Sequence, residues 1–156
     1  MPSIEIVCIG QTEPLELGPL SFAVVSGTRL VSHRTPTPLF QSDFDQLEGC
    51  MYHLGNPELR SKARTGAFFA YELLSEPSRH GEPFLEFADE HRPDVGIVLS
   101  ALLAASPEGR LLFTSDWQFG PEGAKRHPAV TLAEFWRLHD ARTLRLNAAY
   151  AIVLAA

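Results

Sequence analysis

The chain carries only two cysteines, and it contains no CxxC or HxxxH spacing. A disulfide framework and a structural zinc site are both excluded on that ground. No apolar run is long enough to span a bilayer; the longest, 95–105 and 148–156, fall well short of it. The first residues lack a basic segment followed by a long apolar core, so no export signal is expected. We therefore expect a cytoplasmic protein in which Cys8 and Cys50, both in apolar patterns, are reduced core thiols. Basic residues are scarce, 13 Lys and Arg against 19 Asp and Glu, for a formal net charge of −6. That excludes the basic footprint of a general nucleic-acid binder and fits solubility or a basic protein partner. GxGxxG, GxSxG, HExxH and EF-hand loops are missing as well. The stretch 120–125 has a glycine pair and a lysine but not the P-loop spacing, which rules out a phosphate cradle. No cofactor and no metal is expected.

What remains is ordinary for a folded domain: 45% hydrophobic and 21% charged residues in 156, with 12 prolines spread through the chain. A single globular domain over 1–156 would bury roughly 70% of its unfolded surface. Neither an internal repeat nor a low-complexity linker interrupts it.

The segment 94–117 organises the expected fold. Ser106, Pro107 and Gly109 occupy the first, second and fourth positions that a type I turn favours. Residues 95–105 are apolar on both faces, which predicts a central strand paired through that turn with the alternating segment 111–117. In that hairpin Ala105 faces Arg110, Leu103 faces Leu112 and Leu102 faces Phe113. A buried helix starting after Pro93 is the competing interpretation, since Ala and Leu are strong helix formers. Residues 4–9 alternate as a strand, and 12–19 hold Pro14, Gly18 and Pro19 in a loop. Ser26-Gly27 predicts a second hairpin, pairing Val25 with Thr28, Ala23 with Leu30 and Phe22 with Val31.

Further on, Ser42 caps an expected helix with Phe44, Leu47, Met51 and Leu54 on one face and Gly55 as its stop. Asn56-Pro57 opens another that reaches Leu74, with a strand over 67–74 as the alternative. Residues 75–83 are read as a loop and 84–91 as a short amphipathic helix. Thr131 and Glu134 form a capping box, with Val130 and Phe135 as a hydrophobic staple and Leu132, Phe135, Trp136 and His139 inward. Residues 144–154 alternate large with small as a last strand. The expected fold class is α+β: a mostly antiparallel sheet of five to six strands with three or four helices packed on it.

Chemistry has few places to sit. Cys50 and His53, one helical turn apart in this scheme, would suit an activated thiolate or two zinc ligands, but nothing completes a metal set. His139, on an apolar helix face, is read as a packing residue hydrogen-bonded to a backbone carbonyl rather than an acid–base group. The best binding candidates are Asp116, Trp117, Phe119, Arg126 and His127, in a stretch that gathers a carboxylate, two aromatics and the three potential cations Lys125, Arg126 and His127 around one irregular segment. From these we expect a non-enzymatic protein-binding or regulatory module, with a protein partner or self-association and no nucleic acid or membrane. The alternative is a small hydrolase or transferase with its site in the loop from 116 to 127.

Overall fold

A computed structural model describes residues 3–31, 48–55, 70–80, 82–116, 125–126, 128–146 and 148–155. Strands β1 (Ser3–Ile9), β2 (Ala23–Val31), β3 (Glu48–Gly55), β4 (Arg110–Asp116) and β7 (Ala148–Val153) make the body of one sheet. Two short strands, β5 (Lys125–Arg126) and β6 (Val130–Thr131), both lie parallel on β7. The order is β2-β3-β1-β4-β7-β5, and every pairing among the five longer strands is antiparallel. Three α-helices accompany the sheet among the described residues: α1 (Glu76–Arg79), α2 (Arg92–Ala105) and α3 (Leu132–Asp140). The mixed α and β, mostly antiparallel class is therefore as the sequence indicates.

Its centre is not. Residues 92–105 are helix, not the first arm of a hairpin. Pro93 stands in the first turn, where its missing N–H costs nothing, and Asp94 meets the positive end of the helix dipole. Val95, Val98, Leu99, Leu102 and Leu103 are buried, the 3.6-residue spacing of a single helical face. Leu102 and Leu103 thus have no strand partners; Phe113 pairs instead with Ile6 and Tyr150, and Leu112 with Val7 and Ala151. The turn itself forms as its residues dictate. Gly109 N–H donates to Ser106 O at 3.0 Å, and Gly109 takes φ +64°, but the turn joins a helix to a strand.

Other expectations are corrected in the same way. Ser26-Gly27 is not a hairpin turn: β2 runs straight through it with a bulge between Ser26 and Thr28, and Ala23 pairs with Gly55 and Leu30 with Gly49. The helix expected from Ser42 is a strand over its later part. In β3, Cys50, Tyr52 and Leu54 are buried at period two, while residues 32–47 lie outside the described residues. Gly49 belongs there because a Cβ would run into the Cys8 carbonyl of β1. Of the next expected helix only its end is described, as a 3-10 turn at Tyr71–Leu73 followed by a bridge from Leu74 to Phe87. That bridge also removes the expected helix at 84–91, and α1 forms inside the expected loop.

The main core fills the space between the helices and one sheet face, with Ile4, Ile6, Tyr52, Phe113, Tyr150 and Ile152 pointing into it. Val7, Ile9, Leu112 and Ala149 are buried on the opposite face, with Met51 and Ala151 packed against them. The capping box of α3 forms, Glu134 N–H donating to Thr131 Oγ1 at 3.2 Å and Thr131 N–H to Glu134 Oε1 at 3.3 Å. No helix among the described residues is long and apolar enough to cross a membrane.

Candidate functional site

The most distinctive surface lies between α2 and α3. Helix α2 has no charged residue after Asp94, and its outward positions are Ile97, Ser100 and Ala104. An open groove of about 810 Å³ runs between it and α3, walled by Pro93, Ile97, Ala101, Leu132 and Trp136. Ile97 is 54% exposed; with Leu154, it is one of two large hydrophobic side chains so exposed among the described residues. At the groove's end the Arg92 guanidinium lies 4.5 Å from the Trp136 ring centre and bonds both Asp140 oxygens at 3.0 and 3.1 Å. The surface thus has an apolar centre with an aromatic ring and an arginine at its margin.

Next to Trp136, His139 ties α3 to the segment around Phe87. Its Nε2 accepts from the buried Phe87 N–H at 2.9 Å, and Nδ1 donates to Asp140 Oδ1 at 2.9 Å. These two bonds fix the neutral tautomer with its proton on Nδ1. The ring stacks on Phe87 and meets Trp136 edge-on. His139 is 3% exposed; with Nε2 already occupied, it has no free base to offer a substrate. It serves packing as expected, although its backbone partner is an amide N–H and not a carbonyl.

The His139 hydrogen bond, with Arg92 adding to it, holds the Asp140 carboxyl below its ordinary range. Asp94 is lowered too, by the Ser21 N–H that bonds it at 2.6 Å. Carboxyls depressed by folding contribute stability above their unfolded pKa, and it is lost as pH falls through the folded values. Unfolding free energy should therefore drop as pH falls below about 4. Asp140→Asn should flatten that decline, with a loss at neutral pH under about 1 kcal/mol because the pair is solvent-exposed. Urea titrations at stepped pH check both.

Cys50 and His53 do not form a nucleophilic pair. On a strand, residues three apart face opposite sides, and Cys50 is buried on the core side. Cys50 stands instead directly across from Cys8, neither being in a disulfide. Cys8 Sγ donates to Leu102 O at 3.2 Å and Cys50 Sγ to Gln11 O at 3.6 Å. Burial, with Cys50 beside it, pushes the Cys8 thiol up to about 11. Only about one molecule in a thousand then holds its thiolate at pH 8. Iodoacetamide followed by peptide mapping should show Cys8 reacting more than a hundredfold slower in the native protein than in urea.

The binding candidates named from the sequence are placed only in part. Asp116 ends β4 in register with Ser3, and Arg126 in β5 is in register with Ala149. Trp117, Phe119 and His127 lie outside the described residues. One register line crosses the sheet through Val25, His53, Glu5, Thr114, Ala149 and Arg126. Within it Glu5 and His53 approach to 3.6 Å, both about three-tenths exposed. The sequence hides this pair, because cross-strand neighbours are visible only once register is known. Thr114 Oγ1 donates to Glu5 O, so no hydroxyl nucleophile joins the pair. No group of three or more His, Cys, Asp or Glu suited to a metal occurs among the described residues.

The chain matches no protein-family model, and no curated protein or solved structure is significantly similar to it.

Proposed function

We propose that this protein is a non-enzymatic binding module that docks an apolar helix of a basic partner protein in the groove between α2 and α3. The observation that carries the proposal is Ile97, a large aliphatic side chain 54% exposed on a helix with no charge after its first turn and bordered by Trp136. An amphipathic helix laid between two helices is a standard way to cover such a stripe. The net charge of −6 favours a partner of opposite sign and speeds encounter with it. His139 and Asp140 support the groove by fixing α3 to Arg92 and to the bridge residue Phe87. The Ser21 hydroxyl lies 2.9 Å from His91 Nδ1, and Glu90 lies 3.6 Å from His91 Nε2. Neither Ser21 nor His91 lines the groove, so the binding reading is preferred to the hydrolase or transferase alternative.

Ile97→Asp should leave the melting temperature within about 2 °C, since the side chain is already exposed. It should weaken partner capture from the native host at least thirtyfold, the loss of a contact worth about 2 kcal/mol. Quantitative affinity capture with wild-type and variant baits, followed by identification of the retained basic protein, tests this. Equal retention by the two baits would refute the groove as the docking surface.

A further inference from the structure

We infer that the edge of β2 left unpaired among the described residues is a second, independent binding site, which takes an extended peptide of alternating basic and apolar side chains. β2 ends the sheet order and has β3 as its one neighbour among the described residues. The phase of the ladder follows from Gly10 N–H donating to Glu48 O at 2.6 Å. In an antiparallel pair hydrogen-bonded and non-bonded positions alternate. The even residues of β3 therefore bond β1, and its odd residues bond β2. His53 bonds Val25 and Gly55 bonds Ala23, so the N–H and C=O of Val24 and Ser26 point away from β3. They have no hydrogen-bond partner among the described residues.

Those two residues line a half-enclosed slot of about 550 Å³. Its other wall is the stretch 14–20, which makes no backbone–backbone hydrogen bond among the described residues. Two tethers hold that wall: Leu15 N–H to Tyr52 Oη at 2.8 Å, and Ser21 N–H to Asp94 Oδ2 at 2.6 Å. Tyr52 is fixed in turn, its hydroxyl donating to Gln11 Oε1 at 2.6 Å. The slot is thus held beside a strand edge that is unpaired among the described residues, the geometry in which a peptide adds to a sheet.

The lining states what kind of peptide fits. Leu15, Leu17, Phe22 and Val24 offer apolar contacts, while Glu16 and the nearby Glu13 are exposed. No Lys, Arg or His occurs before Arg29, whereas Glu5, Glu13 and Glu16 do. A strand alternating valine-like with lysine-like residues matches both features. Neither a lysine nor a proline guards positions 23–26, the devices that usually blunt an exposed edge. The bulge after Ser26 limits pairing to a short segment.

An acetylated, amidated Lys-Val-Lys-Val-Lys peptide serves as the probe, titrated to roughly 1 mM, where a contact of about 4 kcal/mol half-saturates. Amide resonances of Val24 and Ser26 should shift and their exchange with solvent should slow. N-methylating one alternate set of peptide amides should weaken binding at least tenfold, and the other set should not, since only one faces the edge. Ser26→Pro, which removes an N–H outside the β3 ladder, should weaken binding tenfold without lowering the melting temperature. Glu13→Gln with Glu16→Gln should reduce affinity severalfold and abolish its salt dependence. Ile97→Asp should change nothing, which separates this site from the α2–α3 groove. No shift at that concentration, equal binding of both N-methylated peptides, or shifts confined to α2 and α3 would each overturn the assignment.

Discussion

Phe113→Ala is expected to lower the unfolding free energy by about 4 kcal/mol, the largest single loss we foresee. Phe113 is fully buried in the middle of β4, between Ile6 of β1 and Tyr150 of β7. Its ring meets Phe135 edge-on at 5.0 Å and Phe87 at 6.5 Å, so it joins the sheet to α3 and to the segment around Phe87 that His139 holds. Removing it deletes apolar burial, aromatic contacts and the filling of the space between three elements. A urea titration read by circular dichroism measures the change. A loss under 1 kcal/mol would mean that the helix layer does not rest on this strand.

His139→Ala is expected to cost about 3 kcal/mol by a different route. The substitution strands the Phe87 N–H inside the protein, opens a void beside Phe87 and Trp136, and releases Asp140 from its nearer partner. His139→Gln separates these contributions. An amide oxygen can accept from the Phe87 N–H, so about half of the loss should return if the buried donor dominates. Because Trp136 walls the groove, His139→Ala should also weaken partner capture, and His139→Gln should restore part of it. Equal stability of the alanine and glutamine variants would show that cavity formation alone sets the cost.

How much of this was legible in the sequence depends on which patterns were local. The α3 capping box and the buried Phe135 and His139 were readable, because cap and stripe lie within nine residues, whereas Leu132 and Trp136, expected inward as well, are half-buried and wall the groove. The β1 and β7 strands were readable from alternation, as was a mostly antiparallel α and β architecture. α2 was misread for a physical reason. Its buried residues follow helical spacing, but Ile97, Ser100, Ala101 and Ala104 on the other positions carry no charge. An apolar pattern on all sides looks the same for a buried strand and for a helix that keeps one apolar face outward. The feature that misled the assignment is the feature that makes the groove.

The two glycine-containing stretches expected to be turns show a related limit. Residues 106–109 form the turn their types favour, yet turn chemistry does not encode what the turn connects. Ser106 Oγ in fact donates to Ile9 O, fixing the turn to β1. At Ser26-Gly27 the same glycine freedom serves a bulge, which a single sequence does not distinguish from a hairpin loop. Met51 and Leu54 were three apart in a helical frame while Cys50, Tyr52 and Leu54 alternated, and tertiary pairing with β1 decided between them. The groove itself needs α2 and α3 side by side, a relation between segments thirty residues apart that no window on the sequence contains. The loop candidates Trp117, Phe119 and His127 lie outside the described residues.

The docking surface is tested most directly by placing a photoreactive benzophenone side chain at position 97 and irradiating the protein in its native host. A discrete adduct with one basic protein is predicted, lost when the same probe is moved to the exposed position 108 beyond the far end of α2. Adducts of equal yield from both positions, or none from position 97, would contradict it.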